Sequence, residues 1–427
     1  MQISESVVRP RSAIVIGLGY VGLPTAVLLA QGGVHTVGVD INEDLLTSLK
    51  AGSYAPKEPG LADLLRQATA SGMLQYNEKI GSTDAYIIAV PTPINEDKSP
   101  GMQYVLAATE SIAKVIEPGQ LVILESTSPP GATKLVATRI SEIRPDLDVS
   151  GSGKQAIKFA YCPERVLPGN AIQEIVHNER LIGGLTPESA EMAEMLYKSF
   201  TKGTTVLCTD SEAEMAKLVE NSYRDVNIAF ANEVARIATK LGVHADKVIS
   251  LANRHPRVNI LSPGVGVGGH CISVDPWFLV DAAPAESIII KTARYTNDLQ
   301  PKLLATQLSD LVVKKGFKRI VCLGLSYKPN SDDLRESPSL NFIFELINMV
   351  PGIEILVCDP NVLPQNLPIR IRGIFKTGIP SEVFHDSDLV VHLVDHDEFN
   401  SFDYGESSRI QVSGTGQVNL WQKEQAL

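Results

Sequence analysis

The stretch Pro263-Gly264-Val265-Gly266-Val267-Gly268-Gly269-His270-Cys271-Ile272-Ser273-Val274-Asp275-Pro276 brings four glycines within six residues up to one cysteine, and an aspartate follows four positions later. Glycine lacks a Cβ, so such a loop takes positive φ and lets a bulky ligand approach the main chain. Cys271 at its end reads either as a nucleophile or as an incidental thiol on a flexible surface loop. A second group lies near the start of the chain. The apolar run Ala13–Ile16 ends in Gly17-Leu18-Gly19-Tyr20-Val21-Gly22, Leu23–Ala30 reads as helix, and the strand Thr36–Val39 closes on Asp40. Strand, GxGxxG, helix, strand and acid in this order form the dinucleotide fingerprint. Its glycines permit the tight turn and bring a pyrophosphate to the helix N-terminus. Asp40 would accept hydrogen bonds from the adenosine ribose, which favours NAD over NADP because a 2′-phosphate would be repelled.

Other candidates depend on the elements that carry them. Apolar strands at Ala85–Val90 and Leu121–Leu124 end in turns holding Thr92 and Thr127. Strands alternating with helices predict a parallel sheet with ligands at the strand C-terminal ends, so these threonines are candidates for ligand contact or ordinary turn hydroxyls. The strand Phe159–Tyr161 runs into Cys162-Pro163-Glu164-Arg165, where Glu164 is a base or an ion-paired side chain. From Ser211 to Leu241 there is no proline or glycine, and a helix of about 45 Å is expected, long enough to link two domains. Its apolar residues Leu218, Val219, Ile228, Ala229 and Phe230 suggest close packing. Lys217 and Asn221 share one helix face, as a catalytic pair or as a lysine snorkelling to solvent beside an amide.

Beyond the cysteine loop, Ile288–Lys291 leads to a helix expected from about Pro301 to Lys315. Strands Arg319–Leu325, Glu354–Cys358 and Asp388–Val394 then repeat the α/β pattern. The expected fold class is α/β, with two Rossmann-like domains of parallel strands joined by a long central helix. The expected divisions are residues 1–205, 206–300 and 301–427.

Composition narrows the function. The 427 residues exceed one ordinary core, and 44% hydrophobic with 20% charged residues suits a soluble globular protein. No apolar run is long enough for a membrane span, and Met1–Arg11 has no apolar signal region. Five scattered cysteines (162, 208, 271, 322, 358) without CxxC spacing argue against a disulfide framework or a metal site and for the reducing cytoplasm. A net charge of −11 argues against nucleic acid and anionic membranes as partners.

With the fingerprint, the Glu164 strand end, the Lys217/Asn221 helix, the glycine-cysteine loop and Lys328/Arg335 in this order, the chain resembles the UDP-sugar 6-dehydrogenases of the UDP-glucose/GDP-mannose dehydrogenase superfamily. The likeness runs from Val15 to about Asp397. Tyr161–Gly169, Asn253–Leu261 and Gly268–Phe278 are most similar to the branch that takes UDP-N-acetyl-D-mannosamine. The resemblance implies oxidation of the C6 alcohol of a UDP-sugar to a carboxylate with two NAD molecules. It assigns proton acceptance, through a water, to Asp275, and alkoxide stabilisation to Lys217 with Asn221. Cys271, its pKa lowered by Lys217, would attack the aldehyde as thiolate and carry a thiohemiacetal and then a thioester. Glu164 would activate or position the hydrolytic water. Gly17, Gly19, Tyr20, Val21, Gly22, Asp40, Thr92, Thr127 and Arg335 fall to the cofactor. Arg165, Lys217, Asn221, Gly268 and Lys328 fall to the substrate, Lys328 at its UDP end. Among Arg254, His255 and Arg257, we favour Arg257 as the residue reaching the substrate of a neighbouring subunit, which implies a homodimer or higher even oligomer. Two departures, Pro168 in place of a second glutamate and His270 before the cysteine, point away from UDP-glucose and towards an N-acetylated sugar. The segment Ser413–Leu427 also departs from the family, leaving its packing open.

Overall fold

The computed structural model describes residues 8–56, 58–166, 169–377, 389–400, 407–418 and 420. Pro168, Asp388 and most of the segment 419–427 therefore lie outside the described residues. The chain divides into two compact units, Met1–Val219 with Trp277–Ala283, and Glu220–Pro276 with Pro284–Leu427.

In the first unit, eight strands form one sheet: β1 (Ser12–Ile16), β2 (His35–Val39), β3 (Leu74–Asn77), β4 (Ala85–Ile88), β5 (Leu121–Leu124), β6 (Lys158–Tyr161), β7 (Arg180–Gly184) and β8 (Thr205–Thr209). Their spatial order is β3-β2-β1-β4-β5-β6-β7-β8. Every residue of β4, β5 and β6 is buried, as continuous apolar strands covered on both faces must be. Separate apolar clusters, one around Val27, Leu29 and Ile123 and another around Tyr86, Val122 and Phe159, pack against the strands. Register lines up Val39, Ile16, Ile88, Leu124 and Tyr161 as consecutive partners across β2, β1, β4, β5 and β6. The turns that follow all leave the sheet from the same edge.

The expectation of an entirely parallel sheet needs one correction: β7 runs antiparallel to β6, and β8 is parallel to β7. Two glycines hide β7 from propensity. A Cβ on Gly183 would lie 2.6 Å from the Thr209 carbonyl oxygen, and one on Gly184 would lie 2.3 Å from that of Thr186. Close packing, rather than strand preference, demands these residues.

The second unit carries a five-stranded parallel sheet, β9 (Arg319–Leu323), β10 (Glu354–Asp359), β11 (Phe375–Thr377), β12 (Leu389–His392) and β13 (Ser408–Gln411), in the order β11-β10-β9-β12-β13. The helix expected to begin near Pro301 instead runs from Ile288 to Lys315 with Pro301 inside it. Proline removes one backbone donor, but its ring is buried and the helix packs along the helix Pro338–Met349. Tertiary packing outweighs the single lost bond.

The long helix is present as Asp210–Leu241, 32 residues, and the division between the units falls within it, after Val219. Two of its apolar residues depart from expectation, since Val219 and Phe230 are exposed. The described part of the C-terminal segment is packed. Gln417 is buried, accepts the Ala245 N–H at 3.0 Å and donates to Thr239 Oγ1 at 3.0 Å.

Candidate functional site

In the first unit the candidate residues gather beyond the aligned strand ends. Gly17 donates its N–H to the Val39 carbonyl at 2.8 Å and holds φ +92°. A Cβ on Gly17 would lie 2.6 Å from the Ala89 carbonyl oxygen, and one on Gly22 only 1.9 Å from that of Gly17. Gly19 differs, because nothing lies within 4 Å of where its Cβ would be. Two glycines thus serve the turn, and the third borders open space. The helix Gly22–Gln31 starts there with no capping side chain and no acid in its first turn, so its positive end is left to an anion. Asp40 is held by the N–H groups of Leu18 (2.7 Å) and Asn42 (2.8 Å) and stays half-exposed. These residues fit a dinucleotide. Thr92 and Thr127, both half-buried, follow adjacent strands, and Ser126 fastens their turns by donating to the Val90 carbonyl at 2.7 Å.

Glu164 leaves the end of β6 nearly buried. Its Oε1 accepts the Arg165 N–H at 2.7 Å, and its Oε2 lies 3.5 Å from Arg180 Nη2. Glu164 is thus ion-paired with Arg180 at the strand end. Arg180 is itself buried over the Tyr197 ring, 4.5 Å from its centroid, with Nη1 3.6 Å from Glu125 Oε1. Tyr197 and Thr25 donate their hydroxyls to Glu125 at 3.0 and 3.1 Å. One guanidinium therefore faces two carboxylates. Burial pushes the Glu125 carboxyl up to about 7, against the pull of Arg180 and with a further push from Glu164. Glu125 is therefore protonated below neutrality, where Arg180 faces Glu164 as its one charged carboxylate partner of the two.

Lys217 is 8% exposed on the long helix, which excludes the reading of a lysine on a solvated face. Arg165 Nη1 turns back to the Glu179 carbonyl at 3.5 Å.

In the second unit the cysteine loop is bolted down at both ends. Gly264 donates its N–H to Asn232 Oδ1 (2.9 Å), and its carbonyl accepts from Gln300 Nε2 (3.3 Å). Behind them Asn232 donates to Asn297, Asn297 to Asp225, and Asp225 pairs with the buried Arg294. At the other end, a Cβ on Gly268 would lie 2.6 Å from the Glu336 carbonyl oxygen, and one on Gly269 would lie 2.9 Å from the Tyr327 ring. Gly269 holds φ +85° and donates to the Arg335 carbonyl at 3.0 Å. The Cys271 carbonyl accepts from Val274 and Asp275 (3.0 and 2.8 Å), opening the helix Asp275–Ala282. Asp275 is buried and accepts from Asn221 Nδ2 at 2.5 Å. Cys271 is half-buried. Arg335 grips Asp333 through Nε and Nη2, which raises its pKa, with a smaller contribution from Cys271. Thiol, amide-held carboxylate and guanidinium thus share one neighbourhood. Lys328 is half-buried with Nζ 5.9 Å from the Tyr327 ring centroid.

Family models match three consecutive stretches: the NAD binding domain of the UDP-glucose/GDP-mannose dehydrogenase family over residues 12–201, its central domain over 211–299, and its UDP binding domain over 321–414. The chain belongs to the UDP-glucose/GDP-mannose dehydrogenase family. It is 46% identical over 395 residues to the UDP-N-acetyl-D-mannosamine dehydrogenase of Escherichia coli K12, covering 90% of this chain and 93% of the other. It is 43% identical over 409 residues to an NDP-N-acetyl-D-galactosaminuronic acid dehydrogenase of Ralstonia nicotianae, covering 95% and 96%. Among solved structures, the UDP-N-acetyl-mannosamine dehydrogenase of Staphylococcus aureus superposes with TM-score 0.82 at 36% identity, covering 94% of each chain.

For this UDP-glucose/GDP-mannose dehydrogenase family member, the NAD-binding domain is the unit whose glycines, Asp40 and uncapped helix fit the dinucleotide. Arg257 sits on an exposed loop closed by Asn253, which accepts the Ile260 N–H and donates to the Ile260 carbonyl. Asn227 ties the same loop to the long helix. Arg254 and His255 are equally exposed, so geometry does not single out one cation. Sequence reasoning missed Glu58, Glu125 and Arg180. Glu58 is buried and accepts from Tyr20 Oη, Gly169 N and Ala171 N (3.2, 3.0 and 2.6 Å), fastening the fingerprint to the loop after Glu164. A glutamate far from any motif carries no local signal of that role.

Proposed function

We propose that the protein oxidises the C6 alcohol of UDP-N-acetyl-D-mannosamine to the uronate in the cytoplasm, using two NAD, for bacterial surface polysaccharide. The observation that carries the reading is the fixed pairing of Asp275 with Asn221 one helical turn after Cys271, on a glycine loop seated against Tyr327 and Arg335. Bound NAD, held by the Gly17–Gly22 turn and Asp40, would supply the hydride acceptor for each of the two rounds. Asp275, oriented by Asn221, takes the alcohol proton through a water. Lys217 and Asn221 stabilise developing negative charge on the C6 oxygen. Cys271 adds to the aldehyde as a thiolate to give a thiohemiacetal, which becomes a thioester on loss of the second hydride. Water placed by Glu164 then hydrolyses the thioester, releasing the carboxylate and restoring the Cys271 thiol. Gly17, Gly19, Tyr20, Val21, Gly22, Asp40, Thr92, Thr127 and Arg335 serve the cofactor. Arg165, Gly268 and Lys328 serve the UDP-sugar. The three-part division at residues 205 and 300 belongs to the same reading.

The family relatives named for N-acetyl-D-galactosaminuronic acid support a second reading, the same chemistry on UDP-N-acetylgalactosamine. We also propose an even homo-oligomer with Arg257 acting on a neighbour's substrate. Tyr223, Phe230 and Ile237 are exposed at seven-residue spacing on the long helix, one apolar stripe suited to a matching helix.

NADH formed per sugar, measured with the mannosamine, galactosamine, glucosamine and glucose compounds in parallel, tests both substrate and chemistry. Two NADH per sugar, fastest with the mannosamine compound, is expected. One per sugar would remove the role of Cys271, and a faster galactosamine reaction would move the substrate.

A further inference from the structure

The two sheets repeat one construction. In the first unit Gly17 N–H reaches the carbonyl before Asp40 at 2.8 Å, and Asp40 accepts from Leu18 and Asn42 at 2.7 and 2.8 Å. In the second, Gly324 N–H reaches the carbonyl of Cys358 at 2.8 Å, and Asp359 accepts from Leu325 and Asn361 at 2.7 and 2.8 Å. Gly324 holds φ +91° as Gly17 holds +92°. The acids then part company. Asp40 is half-exposed, where a ribose could reach it, whereas Asp359 is fully buried beneath His396.

His396 Nε2 lies 3.2 Å from Asp359 Oδ2 and 3.3 Å from Ser326 Oγ. Its Nδ1 accepts the backbone N–H of Asn330 at 3.0 Å, with Asn361 Nδ2 also at 3.0 Å. Because a backbone N–H can only donate, Nδ1 is the acceptor and Nε2 carries the proton to Asp359 and Ser326. Ser326 in turn donates to the Lys328 carbonyl at 2.7 Å. Asn330 holds φ +56° and exchanges two hydrogen bonds with Asp397, at 2.8 and 3.0 Å. The ring's bonds to Ser326 and Asn330 each end within two residues of Lys328.

We propose that His396, seated on Asp359, is a positioning residue that sets the Lys328 loop to receive the diphosphate end of the nucleotide sugar. The acid that takes a ribose in the first sheet has been turned in the second to hold an imidazole. The inference rests on the reading of Lys328 at the UDP end, and the test separates the two.

Asparagine places an acceptor where Nδ1 stands, whereas glutamine places an amide where Nε2 stands. His396→Asn should therefore keep the tie to Asn330, and His396→Gln should keep the tie to Asp359 and lose the loop. UDP binding by calorimetry and KM for the UDP-sugar should weaken about tenfold in His396→Gln and about twofold in His396→Asn, the cost of one loop anchor. kcat and NAD affinity should stay within twofold in both. Equal losses in both variants, or unchanged UDP affinity in His396→Gln, overturn the proposal. Lys328→Ala binding UDP normally would remove the UDP-end reading, and this proposal with it. Should the His396 variants fail to fold, Ser326→Ala removes the hydroxyl that joins the ring to the Lys328 carbonyl and leaves His396 paired with Asp359. UDP affinity must then fall several-fold, or the proposal fails.

Discussion

Glu125→Gln tests the arrangement of two carboxylates around one guanidinium. The Glu125 carboxyl is pushed from an ordinary 4.5 up to about 7, chiefly by burial. An acid whose pKa rises on folding stabilises the fold in its protonated form. That contribution is complete below about pH 4.5 and is lost as pH climbs through about 7. At ~1.36 kcal/mol per pH unit, the interval amounts to about 3 kcal/mol. A unit of some 200 residues moves its melting temperature by about 2–4 °C per kcal/mol. The wild-type melting temperature minus that of Glu125→Gln should therefore fall by roughly 6 °C or more between pH 4.5 and 8. Taking the difference cancels every other titrating group the two proteins share. The measurement is differential scanning calorimetry across that range, following the transition of the NAD-binding unit through its shift on adding NAD. A difference that stays flat within about 1 °C would show that Glu125 is ionised throughout and that Arg180 serves both carboxylates.

Gly19→Val should leave the fold intact and lower NAD affinity at least tenfold, since its side chain would enter open space; Gly22→Ala, aimed at the Gly17 carbonyl, should instead fail to accumulate as folded protein. Circular dichroism reads folding and NADH fluorescence titration reads binding. Arg294→Ala leaves Asp225 buried without its cation and should cost about 3–5 kcal/mol, read from urea denaturation. Phe230→Glu, placed in the middle of the exposed stripe, should shift the light-scattering mass towards the monomer, and an unchanged mass would remove the long helix from the interface. Cys271→Ser should still bind NAD while forming no uronate, as followed by product chromatography.

Much of the architecture was legible because its signals are local. Gly17, Gly22 and Asp40 follow from a turn that tolerates nothing larger and a strand end that must present an acid. The Asp210–Leu241 helix follows from the absence of any breaker. What escaped was tertiary. β7 was hidden by Gly183 and Gly184, which are there to admit Thr209 and Thr186 rather than to favour a strand. Pro301 signalled a helix start, yet packing carries the helix straight through it. Phe230 and Val219 are exposed although apolar, because hydropathy does not say which side of a helix the chain itself covers. Glu58, Arg180 and His396 are single polar residues whose partners lie on other elements, and no spacing along the chain announces such pairs.

The aligned row Val39, Ile16, Ile88, Leu124 and Tyr161 bears on how this protein can change without failing. Asp40, Gly17, Thr92, Thr127 and Glu164 inherit their mutual spacing from ladder pairing deep in the sheet, so they share one origin of coordinates. A slip of one residue in any of these strands would displace its loop by ~3.3 Å and turn its buried side chains to the opposite face. Such an error costs the whole core before it costs the chemistry. Residues added within a turn, by contrast, leave the origin untouched. New substrate preferences are therefore cheapest to acquire in the turns and nearly unreachable through the strands.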